Sequence, residues 1–129
     1  MRSSSEDKRK KKSIGFSFAM AGLIEVIKNE RNFRLHLIAA VLACILGILV
    51  ELSSIEWMII LLVIGIVLVA ETTNSAIERL IDYLRPEMHP SAKIIKDIAA
   101  GAVLLSACLA FIIGCIVFIP KVYQLLIHT

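Results

Sequence analysis

The chain has 129 residues, 58% of them hydrophobic, a mean hydropathy of +0.84 and a formal net charge of +3. A soluble domain of this length has no use for so much apolar surface, and the chain is too short for two domains. What remains is one compact all-α integral membrane domain per subunit, with no reason to read the positive charge as a nucleic-acid surface.

Residues 1–12 form a basic cytoplasmic tail, with Lys8, Arg9, Lys10, Lys11 and Lys12 in a row beside anionic headgroups. It is not a signal peptide, because no small-residue cleavage site follows it. Ser13 is placed to cap the next helix. From Ile14 to Lys28, Phe16, Met20, Leu23 and Ile27 recur at helical spacing, with Ser17, Glu25 and Lys28 off that stripe. The segment is too short and polar to span, so an amphipathic helix lying in the membrane interface is expected. The polar stretch Asn29 to Arg34 bridges to the first span.

The membrane domain is expected over 13–120, with spans at about 33–51, 55–78 and 97–119 and a short tail at 121–129. A tight turn at Leu52–Glu56 joins the first two spans. Pro86 and Pro90 break the chain after the second, and Ser91 is expected to cap an amphipathic lead, Lys93 to Asp97, into the third. Cys44, Cys108 and Cys115 lie inside apolar runs and read as small buried hydrophobes with no metal spacing. Basic residues flank the N-terminus (Arg31, Arg34) and the connection between spans two and three (Arg79, Arg85, Lys93, Lys96), and none sits in the first turn. The positive-inside rule puts those two regions in the cytoplasm and the C-terminus outside, with Lys121 a minor exception.

At the inner end of the second span the uncharged run Trp57 to Ala70 gives way to Glu71, Asn74, Glu78 and Asp82. Their spacing puts them on one helix face. Carboxylates at the mouth of a membrane helix are costly and mark a site. Such groups can hold a hard cation such as Mg²⁺ or take a proton from an alcohol. Glu71, straight after the apolar run, is the most desolvated and the candidate base; the alternative is an ion pair with Arg or Lys between helices. Glu30 and Glu78 are candidate metal ligands, against ordinary salt bridges such as Glu30 with Arg34. Lys96-Asp97 could bind phosphate or snorkel as an interfacial pair. His89, between prolines, reads more simply as a loop residue. No GxxxxGK[ST] or GxGxxG segment occurs, so any ATP site is of an unusual kind.

Asn29-Glu30-x-x-Phe33-Arg34, then Glu71-x-x-Asn74-Ser75-Ala76-Ile77-Glu78-x-x-x-Asp82, then Glu87-x-His89 and Lys96-Asp97 followed by Ala-Ala-Gly-Ala-Val resemble the prokaryotic diacylglycerol kinase family over about residues 14–119. The Glu-Arg-Asn-Phe-Arg-Leu-His start of span one is similar to the Gram-positive, undecaprenol kinase branch. The resemblance implies three transmembrane helices with an interfacial N-terminal helix, in a bacterial plasma membrane. It further implies a homotrimer with active sites shared between subunits, and Mg²⁺-dependent transfer of the γ-phosphate of ATP to a membrane lipid alcohol. That alcohol is undecaprenol, with diacylglycerol as the alternative. By the same resemblance Glu71 is the general base, and Glu30 and Glu78 hold the metal. Asn74, Asp82 and Arg34 support them. Lys11, Phe18, Glu87, Met88, His89, Lys96 and Asp97 join Glu30 and Glu78 at the nucleotide, and Ala100 faces the lipid headgroup. Lys11 and Phe18 stand where the enterobacterial branch has Arg and Tyr; a lysine holds phosphate only as a point charge.

Two other classes compete. A proton-coupled transporter would place its key glutamate near mid-membrane, usually among four spans. A purely structural membrane peptide gives no reason for carboxylates on one face.

Overall fold

The computed structural model describes residues 4–129, with residues 6–14 described by backbone alone. It consists of four helices: α1 (Ser4–Asn29), α2 (Arg31–Leu49), α3 (Ser54–Leu84) and α4 (Pro90–Ile127). Three of them, α2 to α4, are long and apolar enough to cross a membrane. At 1.5 Å per residue α2 is about 28 Å long, close to the roughly 30 Å hydrocarbon layer, whereas α3 reaches about 46 Å and must project beyond it.

Helix α1 begins at Ser4, so the basic run belongs to its N-terminal half and Ser13 lies inside the helix rather than capping it. Lysine and arginine are good helix formers, and no proline or glycine precedes Gly15 to stop them. The expected bridge between α1 and α2 shrinks to one extended residue, Glu30 (φ −107°, ψ 107°). Two bonds from Arg34 Nη1 fasten this corner, to the carbonyls of Ile27 (3.0 Å) and Lys28 (2.7 Å). They satisfy carbonyls that the end of a helix otherwise leaves without partners. Phe33 is buried at the same corner. Phe16, Met20, Leu23 and Ile27 are all exposed, as are Phe18 and Ile24, and among the described side chains of α1 the buried one is Val26. From Phe16 to Ile27 the apolar surface of α1 therefore wraps wider than one stripe and lies largely exposed.

The turn between α2 and α3 is tight for two reasons. The N–H groups of Glu51 and Leu52 bond back to the carbonyls of Ile48 (3.3 Å) and Gly47 (3.1 Å), a Schellman closure. Glu51 takes the left-handed position (φ 56°) that glycine usually fills. Gly47 allows the close approach: a Cβ there would lie 2.9 Å from Leu52 Cδ1 and 2.9 Å from Trp57 Cη2. Ser53 and Glu56 then start α3 with a capping box, the Ser53 hydroxyl accepting from Glu56 N–H and the Glu56 carboxylate from Ser53 N–H. Glu56 also pairs with Lys121 of α4 at 3.3 Å, and Val50, Leu52 and Ile60 form a small core beneath.

The prolines break the chain after Leu84 as expected, but α4 starts two residues early. Pro90 occupies the first helical position and His89, not Ser91, is the cap: its Nδ1 accepts the Ser91 N–H at 3.1 Å. Pro120 removes one backbone donor without ending α4, so part of the expected C-terminal tail is helical. Cys44 and Cys115 are half-buried and Cys108 is exposed, so the last faces outward rather than filling a core.

Helix α3 is the hub. It packs most extensively on α4, then on α2, and the C-terminal end of α1 leans on both α2 and α3. Its buried residues are Ile60, Val63, Val67, Glu71, Asn74 and Ser75. The face that carries the apolar core is thus the face that, by helical register, carries the first carboxylate.

Candidate active site

Glu71 lies about 26 Å along the α3 axis from Ser54, at the far end of a length matching the hydrocarbon layer. It is 3% exposed. A carboxylate in that position needs a partner. No arginine or lysine supplies one among the described residues; instead His36 of α2 brings Nε2 to 3.8 Å from Glu71 Oε2. His36 lines an open apolar hollow of about 320 Å³ between α2, α3 and α4, and so brings Glu71 next to it. Small residues of α2 (Ala39, Ala40, Ala43) and α4 (Ala107, Ala110) make the room, and Val63 and Val67 of α3 form the floor.

One turn on, Asn74 Nδ2 donates to Glu78 Oε1 at 3.4 Å, while Asn74 Oδ1 is buried with no partner. Beside it Ser75 is the most buried side chain among the described residues, 1% exposed, and its hydroxyl donates to Glu30 Oε1 at 2.8 Å. Arg79 of α3 reaches Glu30 (3.4 Å) and Glu25 (3.2 Å). Glu30 is therefore tied to α3 by Ser75 and Arg79, and the alternative Glu30–Arg34 pair does not form, because Arg34 is spent on the end of α1. The hydroxyls of Thr72 and Thr73 point back to the carbonyls of Leu68 and Val69, each at 2.8 Å, and are unavailable for chemistry.

A second hollow, about 450 Å³, opens where α3 ends and α4 begins. Asp82, Glu87, Met88, His89 and Lys96 line it together with Arg85 and Lys93. Lys96 Nζ donates to Asp82 Oδ1 across it. Arg85 meets Glu87 at 3.4 Å. Four residues expected at the nucleotide thus share one hollow of mixed charge, and Asp82 joins them. Asp97 turns the other way and pairs with Lys93 at 2.6 Å. Phe18 is exposed on α1, Ala100 is exposed on α4, and the side chain of Lys11 lies outside the described residues.

Sequence reasoning passed over His36, Ser75 and Arg79 as site residues. His36 lies on a different helix from Glu71, and no local spacing links them. Ser75 stood inside the conspicuous motif but looked like filler between Asn74 and Glu78.

The sequence that builds this site matches known proteins along nearly the whole chain. Residues 17–118 match the prokaryotic diacylglycerol kinase family. The chain belongs to that family. It is 48% identical over 106 residues to an undecaprenol kinase of Bacillus subtilis (strain 168), covering 82% of this chain and 86% of that protein. It is also 34% identical over 115 residues to a diacylglycerol kinase of Synechocystis, covering 88% of this chain and 66% of that protein. A diacylglycerol kinase of Escherichia coli (strain K12) is 30% identical over 105 residues, covering 81% of this chain and 84% of that protein. The family and the three apolar helices together make this a multi-pass membrane protein.

Proposed function

We propose that the chain is an ATP-dependent lipid kinase of the bacterial plasma membrane that converts undecaprenol to undecaprenyl phosphate, with diacylglycerol as the competing acceptor. One observation carries the reading: Glu71 is buried at the inner end of α3, 3.8 Å from the histidine that lines the end of an apolar hollow. A membrane alcohol presents its hydroxyl at that depth, and the chemistry needs a base there. The relatives' names support the acceptor, undecaprenol standing with the most identical of the three compared. The distribution of basic residues supports a cytoplasmic N-terminus and active site, where ATP is available.

In this scheme Glu71 takes the hydroxyl proton as the oxygen attacks the γ-phosphorus and ADP departs. Phosphoryl transfer asks a protein mostly for positioning and charge neutralisation. The hollow lined by Glu87, Met88, His89 and Lys96 takes the nucleotide, with Lys96 released from Asp82 to meet phosphate; the family resemblance adds Lys11, Phe18 and Asp97 to the nucleotide contacts. Glu30 and Glu78 fit Mg²⁺, which binds through one or two carboxylates plus substrate phosphates and needs no all-protein cage. The donor set agrees: Asn74 Oδ1 is a buried amide oxygen without a partner beside Glu78. Bound there, Mg²⁺ supplies charge neutralisation at the phosphates. Asn74 and Asp82 orient their neighbours, Arg34 holds the corner that presents Glu30, and Ala100 leaves space for the headgroup. A homotrimer with shared sites completes the proposal; the broad exposed apolar faces of α2 to α4 suit both subunit and lipid contact.

The test is transfer of radiolabel from ATP by purified protein in mixed micelles with Mg²⁺ and either lipid. Label is expected in undecaprenol well above diacylglycerol, and Glu71→Gln is expected to lower turnover on the order of 10²–10⁴-fold while assembly is unchanged. Label in neither lipid refutes the kinase reading and favours cation flux without ATP. Full turnover in Glu71→Gln refutes the base.

A further inference from the structure

His36 is the one titratable side chain that lines the apolar hollow. Its Nε2 stands 3.8 Å from Glu71 Oε2, too far for a direct hydrogen bond and too near for the pair to be unrelated. An oxygen placed about 2.8 Å from both atoms closes a triangle over that gap, at ordinary hydrogen-bond lengths. A hydroxyl oxygen suits the apex: it donates to the carboxylate and accepts from the imidazole. We propose that His36 Nε2 and Glu71 Oε2 together form the cradle for the acceptor hydroxyl, making His36 a substrate-positioning residue that selects an alcohol on a hydrocarbon chain.

The inference rests on the lipid-kinase reading and deepens it. With its proton on Nε2, His36 donates to one lone pair of the acceptor oxygen and leaves the other free to attack. The O–H bond then breaks with its proton passing to Glu71. A bond forms from oxygen to the γ-phosphorus, and the β–γ bridging P–O bond breaks with its electrons leaving on ADP. The setting explains why the hydroxyl arrives on a hydrocarbon. From the end lined by His36 the hollow runs along α3 from Leu68 back to Ile60, about 12 Å of apolar wall. A chain lying in it delivers its terminal hydroxyl to the polar end, whereas a soluble alcohol gains nothing from that wall.

A purely structural His36–Glu71 pair would tie α2 to α3 and would be indifferent to the substrate hydroxyl. Steady-state kinetics on the full-length protein in mixed micelles separate the two. His36→Leu is expected to lower kcat/KM for the lipid alcohol roughly ten- to a hundredfold and leave KM for ATP unchanged, and His36→Gln, which keeps a donor, is expected to recover part of the loss. Unchanged kcat/KM in an assembled His36→Leu protein overturns the cradle, as does a loss that Gln fails to relieve. A measurement on the wild type removes dependence on the variants' folding. With histidine ring carbons labelled, His36 is one of three histidines to resolve. A short polyprenol is expected to shift its resonance, and the chain-matched hydrocarbon without the hydroxyl is expected not to. The same response to both ligands overturns the proposal. Wild-type protein that phosphorylates no lipid alcohol would instead refute the kinase reading itself.

Discussion

Ser75 offers the sharpest test of how the site is held, because it touches no substrate in the proposed scheme. Its hydroxyl donates to Glu30 Oε1 at 2.8 Å from a position 1% exposed. Ser75→Ala deletes that donor and almost nothing else, since one oxygen leaves too small a gap to reshape the helix. A hydrogen bond to a charged group is worth about 1.5–3 kcal/mol. Arg79 still reaches Glu30 at 3.4 Å, but Glu25 shares that guanidinium and both ends are partly in solvent, so it recovers little. If Glu30 holds Mg²⁺, the lost orientation appears as weaker metal affinity, and removing a group that orients a ligand typically costs about 10–100-fold. Half-maximal activity is therefore expected at Mg²⁺ concentrations about 10–100-fold higher, with kcat at saturating Mg²⁺ reduced much less. The assay is a Mg²⁺ titration of phosphate transfer at fixed free ATP, with size-exclusion profiles to check assembly. An unchanged Mg²⁺ midpoint in an assembled Ser75→Ala protein would refute both the orienting role of Ser75 and the ligand role of Glu30.

Two further outcomes follow from named contacts. Lys96→Gln removes the cation that crosses the second hollow to Asp82; KM for ATP is expected to rise about 10–100-fold with KM for the lipid alcohol unmoved, and a lipid-side effect alone would take Lys96 out of the nucleotide site. Glu51 sits in the left-handed region (φ 56°), where a side chain costs about 1–2 kcal/mol, while glycine loses about 0.5–1 kcal/mol more chain entropy on folding. Glu51→Gly is therefore expected to raise the thermal midpoint by a few degrees with activity intact, and a lower midpoint would show that its carboxylate makes a contact worth more than the strain.

Much of the site was legible because a helix repeats. Glu71, Asn74 and Glu78 share a face by spacing alone, and the apolar run before them set their depth. Glu87, His89 and Lys96 were legible through their resemblance to a family, and the structure gathers them in one hollow. The Ser53–Glu56 capping box could have been read from its spacing and was not. Asp97 and Arg34 could not be placed from sequence. Each has two plausible partners nearby, and which one it takes depends on side-chain direction: Asp97 turns to Lys93, and Arg34 to the carbonyls closing α1.

By itself the sequence determined the class of the protein, the three crossings, the breaks and the helix face that bears the carboxylates. Those follow from hydropathy, proline and a period of 3.6 residues, all local quantities. Only the tertiary structure decided which of the residues along α3 face inward, that Ser75 and Arg79 of α3 grip Glu30, and that His36 of α2 meets Glu71. Those partners are 35 to 49 residues apart along the chain, and what brings them together is the packing of antiparallel helices. That register comes from the tight turn at Gly47–Ser53, where a glycine too crowded for a Cβ and a strained Glu51 fix how α2 folds back on α3.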